Sequence, residues 1–106
     1  MMKTIEKKIL VITTNGCIGC EVQRRNVHEA IKQVHHLGNI TQENADWKKV
    51  SRTLLKQCTV KDYPTTIFLV DNQPRFRCEG SYYQYLFLNR FHHCYLYRLH
   101  HLNCQA

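Results

Sequence analysis

Apolar and polar positions along the chain change their period several times, and each change marks an element. Lys7 to Thr14 (KKILVITT) is a short run rich in β-branched residues closed by Asn15-Gly16, the pattern of a buried strand and a turn. Val27, Ala30, Ile31 and Val34 then recur at helical spacing, and Gly38 stands where a left-handed residue would end that helix. Asn39 to Gln42 is a polar run that reads as a short strand. Trp47, Val50, Leu54 and Cys58 predict a second amphipathic helix, with Asn44 or Asp46 as its N-cap. Thr65 to Val70 is almost wholly apolar or β-branched, Asp71-Asn72-Gln73 is a turn, and Arg75 to Cys78 alternates, which together predict a hairpin. Ser81 caps a last helix whose stripe is Leu88, Phe91, Tyr95, Leu99 and Leu102. The predicted order is β-α-β-α-β-β-α: a parallel pair with helical crossovers, then an antiparallel hairpin, in a mixed sheet flanked by helices.

Length and charge narrow this only slightly. At 106 residues the chain is expected to form one domain, 1–106, with a core over about 7–91 and a C-terminal helical extension over about 92–106. A formal net charge of +7 and a pI of about 9.3 favour acidic partners in general. The fifteen Lys and Arg occur singly or in short pairs, with no dense stripe interleaved with aromatics, so nucleic-acid binding is not indicated. The apolar run ILVI is shorter than the ~7 to 15 residues of a secretory leader, and no segment approaches the ~20 needed to span a bilayer. The expected location is therefore cytoplasmic, without a membrane partner.

The cysteines change the picture most. There are six, unevenly spaced, in a chain with enough apolar periodicity to fold without staples, so most are expected as thiols in a reducing compartment. Cys17 and Cys20 form a C-x-x-C in the turn between the first strand and the first helix. There the unpaired N–H groups and the positive end of the helix dipole stabilise a thiolate on Cys17, while Cys20 lies one turn in, within disulfide reach. The same spacing serves zinc, but a zinc site takes four ligands, and no second C-x-x-C exists. His35 and His36 lie at the far end of the helix, roughly 25 Å away at about 1.5 Å per residue. Redox use is favoured and no metal is assigned. Cys58 and Cys78 read as small apolar core residues. In the tail, His93, Tyr97, His100 and Cys104 fall along one helix side, and His100 with Cys104 has a ligand-pair spacing. No carboxylate accompanies them to orient the imidazoles, so a polar helix face is the simpler account.

The Cys17–Cys20 motif and the stretch VKDYPTTIFLVDNQPRFRCEG (Val60 to Gly80) together resemble the thioredoxin superfamily. The second stretch has a Val four residues before Pro-Thr, an apolar strand, a polar turn, a second strand, and a Gly before the last helix. The resemblance covers about Lys7 to Phe91 and implies an α/β thioredoxin-like fold with a four-stranded mixed sheet. It also implies a cis Tyr63-Pro64 bond packed against the dithiol, with the Tyr63 backbone pairing with a bound substrate strand. Departures are plain: Gly16 stands where thioredoxins carry Trp, Ile18-Gly19 replaces Gly-Pro, and Val11 occupies the position of the buried Asp that assists the resolving cysteine. Sixteen residues before Cys17 suggest a minimal core without the extra N-terminal strand and helix.

The resemblance implies a thiol-disulfide oxidoreductase in which Cys17 attacks and Cys20 resolves, while Ile18, Gly19, Tyr63 and Pro64 line the substrate groove. Such exchange needs no prosthetic group. Its partners are a protein or small disulfide substrate and an electron-donating reductase or small thiol. The apolar stripe beyond Phe91 could also meet a second copy of the chain. A non-catalytic adaptor built on the same fold, or a metal-binding protein, are the alternatives.

Overall fold

In the computed structural model, the described residues are 5–34 and 38–80. They form a four-stranded sheet in the order β2-β1-β3-β4. Strand β1 (Lys7–Thr13) leads into helix α1 (Ile18–Gln33), and strand β2 (Ile40–Asp46) returns parallel to β1, with Lys7 opposite Ile40 and Thr13 opposite Asp46. A single 3-10 turn, Trp47–Lys49, precedes helix α2 (Arg52–Gln57). Strand β3 (Thr65–Val70) then runs antiparallel to β1, and β4 (Gln73–Glu79) antiparallel to β3. The final helix expected from Ser81 onward, its apolar stripe and the His- and Cys-bearing tail lie outside the described residues.

Alternation in the central strands sends side chains to two separate cores. Ile9, Val11, Phe68 and Val70 meet Val27, Ala30 and Val34 of the α1 segment, together with Phe76 and Cys78 of β4. On the opposite face Leu10, Ile12, Ile67 and Leu69 gather Cys58, with Val50, Leu54, Leu55 and Val60 packed against them. Strands β1 and β3 are covered on both faces, which is why both read as nearly continuous apolar runs. Cys58 and Cys78 are both buried, but Cys58, expected as a core thiol, is disulfide-bonded, whereas Cys78 is in no disulfide.

Four local expectations need correction. Helix α1 ends at Gln33, with the Val34 N–H bonded to the Ile31 carbonyl; Gly38, although at φ +109°, stands four residues beyond that cap rather than closing it. Strand β2 runs to Asp46, not Gln42, so Asn44 is a strand residue. The stretch from Trp47 to Cys58 is two short helical pieces instead of one helix. Asp46 caps the first, its Oδ1 accepting from the Lys48 N–H at 3.0 Å, and Ser51 caps the second, its Oγ accepting from the Leu54 N–H at 3.1 Å. Finally, the hairpin turn is only Asp71-Asn72, at φ +50° and +65°, and Gln73 already belongs to β4. Two left-handed central residues match the strand twist, and Asp and Asn tolerate them.

Candidate functional site

The end of β1 sets the site. After Thr13 the chain reverses through Gly16, whose φ of +66° is a left-handed conformation that glycine adopts without steric cost. Cys17 then takes the N-cap position of α1 in extended conformation, and its Sγ accepts a hydrogen bond from the Cys20 N–H at 3.0 Å. This is the place where serine or aspartate oxygen usually satisfies an orphan helix N–H. Here a sulfur does so, and the same N–H and dipole end favour negative charge on that sulfur when it is reduced.

Cys17 and Cys20 are joined by a disulfide, with Cα atoms 5.2 Å apart. The two cysteines differ in burial: Cys17 is half-buried, whereas Cys20 is 4% exposed beneath the first turn. Ile18 between them projects into solvent at 82% exposure, and Gly19 is half-buried. The dithiol opens on a cavity of about 460 Å³ whose walls include Thr13, Asn15, Ile18 and Arg24. Arg24 is paired with Glu21 on the exposed side of α1. A neighbouring cavity of about 400 Å³ between α1 and β2 shares those two residues and adds Arg25, His28, Gln42 and Asn44.

The loop before β3 ends at the same edge. Ile12 is registered with Thr65 and Thr13 with Asp46, so the C-terminal ends of β1 and β2 and the start of β3 lie together. The Tyr63-Pro64 peptide is cis. It is held by the Thr65 hydroxyl, which donates to the Asp62 carbonyl at 2.6 Å, and by the Gly80 N–H, which donates to the Pro64 carbonyl at 2.8 Å. Pro64 is buried and Tyr63 half-buried.

Two features escaped the sequence reading. Trp47, expected on the apolar face of a helix, is instead 37% exposed and stacked on Tyr63, with ring centres 6.5 Å apart. Gln23, three residues after Cys20, is fully buried, and its Nε2 donates to the Thr66 hydroxyl at 2.9 Å. Thr66 is registered opposite Val11, which is itself fully buried and apolar. A buried amide-hydroxyl pair, with no carboxylate, therefore supplies polarity on that face of the sheet. Among the described residues no group of three or more His, Cys, Asp or Glu is arranged to hold a metal.

A four-stranded mixed sheet with the C-x-x-C opening its first helix and a cis proline opening its third strand defines a thioredoxin-like α/β domain. Solved thioredoxins share it. Thioredoxin-2 of the malaria parasite, described as a component of its protein secretion machinery, superposes with a TM-score of 0.64 at 18% identity, over 86% of this chain and 85% of that one. Thioredoxin from Aeropyrum pernix gives 0.63 at 15% identity, over 82% and 73%. Oxidised mitochondrial thioredoxin 3 from Saccharomyces cerevisiae gives 0.60 at 19%, over 79% and 76%. No protein-family model matches the sequence, and no curated protein does. At these identities the likeness establishes the fold.

Proposed function

We propose that this chain is a thiol-disulfide oxidoreductase acting on protein or small disulfides through the Cys17–Cys20 couple. The observation that carries the reading is the asymmetric pair at the helix start: a half-buried Cys17 whose sulfur accepts a backbone N–H, and a buried Cys20 bonded to it. In the reducing direction the Cys17 thiolate attacks one sulfur of the substrate disulfide. A Cys17-substrate bond forms, the substrate S–S bond breaks, and the departing thiolate takes a proton from water. The Cys20 thiolate then attacks Cys17 Sγ, closing the Cys17–Cys20 bond and expelling the second substrate thiol. Two electrons pass from the dithiol to the substrate, and a reductase or small thiol restores them. Ile18 and Gly19 border the attacking sulfur, Pro64 shapes the groove, and the Tyr63 backbone pairs with the substrate strand.

Val11 in place of a carboxylate leaves proton removal from Cys20 to water or another group. No helix among the described residues is long and apolar enough to cross a membrane.

A glutathione or dithiothreitol redox titration with peptide mass mapping tests the reading. The expected result is a reversible two-electron Cys17–Cys20 couple. Cys17→Ser should abolish exchange, and Cys20→Ser should accumulate a mixed disulfide with substrate. A folded protein in which these two thiols never pair would leave the adaptor reading in possession of the fold.

A further inference from the structure

Trp47 is the chain's single tryptophan, and the thiol chemistry itself makes no use of it. Its position is tightly specified. Asp46 ends β2 opposite Thr13 and caps the turn that carries Trp47. Thr13, a wall of the dithiol cavity, donates its hydroxyl to the Ala45 carbonyl at 3.3 Å, tying that wall to the same strand end. On its other side Trp47 stacks on Tyr63 with 29° between ring planes, and Tyr63 immediately precedes Pro64.

Despite this anchoring, more than a third of Trp47 stays open to solvent, and the Lys48 ammonium sits 6.0 Å from its ring centre. A ring backed by a second ring loses little freedom when another flat group covers it, so its exposed surface is preorganised for stacking. The flanking charge is lopsided. The two segments that carry the rings, Trp47–Lys49 and Lys61–Tyr63, hold Lys48, Lys49 and Lys61 against one carboxylate, Asp62, and with the capping carboxylate of Asp46 just before them the cations still outnumber the anions.

We propose that Trp47 is a specificity-determining residue, whose exposed ring takes an aromatic side chain next to the disulfide cysteine of an acidic polypeptide substrate while Lys48 takes a neighbouring carboxylate. The inference rests on the exchange reading above. It places the substrate chain along the strand-end edge at which the segments carrying Cys17, Trp47 and Tyr63 meet.

The test compares three disulfides under dithiothreitol as reductant. One is a disulfide-linked dimer of a nonapeptide with phenylalanine and glutamate beside its cysteine, the second carries lysine in place of glutamate, and the third is hydroxyethyl disulfide. The readout is the ratio of kcat/KM for each peptide to that for the small disulfide, which cancels any general effect on the dithiol. Trp47→Ala should lower the ratio for the glutamate peptide by about twofold to tenfold, as the stacking of one aromatic pair allows, with the loss in KM. Trp47→Phe should recover most of it. Wild type should prefer the glutamate peptide to the lysine peptide by about twofold to fivefold at low salt, and Lys48→Ala should erase much of that preference. A ratio unchanged by Trp47→Ala, or a preference for the lysine peptide, overturns the proposal. Wild-type protein that reduces none of the three disulfides overturns the exchange reading first, and this inference with it.

Discussion

Thr66→Val removes one oxygen from the interior and leaves the volume almost unchanged. In the native protein the Thr66 hydroxyl accepts from Gln23 Nε2 at 2.9 Å, and both side chains are sealed between α1 and the sheet at 0% exposure. Valine suits a central strand at least as well as threonine, so the backbone has no reason to move. What remains is an amide N–H facing a methyl group with no water to turn to. Leaving a buried donor unsatisfied costs about 1–3 kcal/mol, against roughly 5–15 kcal/mol of total stability for a domain of this kind. At about 4–8 °C per kcal/mol for a small domain, the melting temperature should fall by ~10 °C. Urea unfolding of the oxidised protein, followed by Trp47 fluorescence and by far-ultraviolet circular dichroism, measures the change. Gln23 makes a further interaction, so Thr66→Val is the cleaner single substitution, and Gln23→Leu serves as the second arm of a double-mutant cycle. The doubly substituted protein should be more stable than the sum of the two single losses allows, because the stranded donor is gone. A midpoint within about 0.5 kcal/mol of wild type for Thr66→Val, the size expected of an ordinary surface change, would refute the claim that this bond is sealed from water.

Two further outcomes follow from local geometry. Ser51→Ala deletes the oxygen that caps α2 and should cost about 1 kcal/mol in urea unfolding; Ser51→Asp should retain most of the stability. Gly16→Ala puts a Cβ into open space but forces alanine to φ +66°, so the loss should be about 1–2 kcal/mol of backbone strain, seen as a lower melting temperature; no loss would mean that the turn before Cys17 relaxes out of the left-handed region.

The parts of this fold legible in the sequence are those whose burial is two-sided or strictly periodic. Strand β1 and the hairpin announce themselves because Ile9 to Ile12 and Thr65 to Val70 pack on both faces, and α1 because Val27, Ala30 and Val34 share one stripe. Strand β2 was less legible. Among the described residues it lies at the edge of the sheet and pairs only with β1, so a sequence as polar as ITQENAD suffices, and its true length is set by backbone register with β1. The split between the 3-10 turn and α2 was masked because Trp47, Val50 and Leu54 keep helical spacing across two separate pieces, and only the paired caps Asp46 and Ser51 betray the break. At the site, the C-x-x-C spacing exposed the two sulfurs directly, whereas the place of Tyr63 and Pro64 came from resemblance. Trp47 and the Gln23–Thr66 bond could be found neither way. One depends on the β1–β2 register, and the other joins residues 43 positions apart.

Topology explains why the chemistry gathers where it does. Leaving β1, the chain crosses one face of the sheet through α1 to reach β2; leaving β2, it crosses the opposite face through α2 to reach β3 on the other side of β1. The end of β1 is thus a switch point, where successive connections part to opposite faces and open a crevice beyond the strand ends. Three segments distant in sequence must converge there: the turn carrying Cys17, the turn carrying Trp47, and the loop carrying Tyr63 and Pro64. Each is pinned by its own local bond, the Cys20 N–H to Cys17, the Lys48 N–H to Asp46, and the Thr65 hydroxyl to the Asp62 carbonyl. Because those bonds are independent, side chains on one segment can change without unseating the others. Gly16 stands directly before the dithiol, and the exposed tryptophan at this end of the sheet is carried by the turn after β2 rather than by the turn after β1.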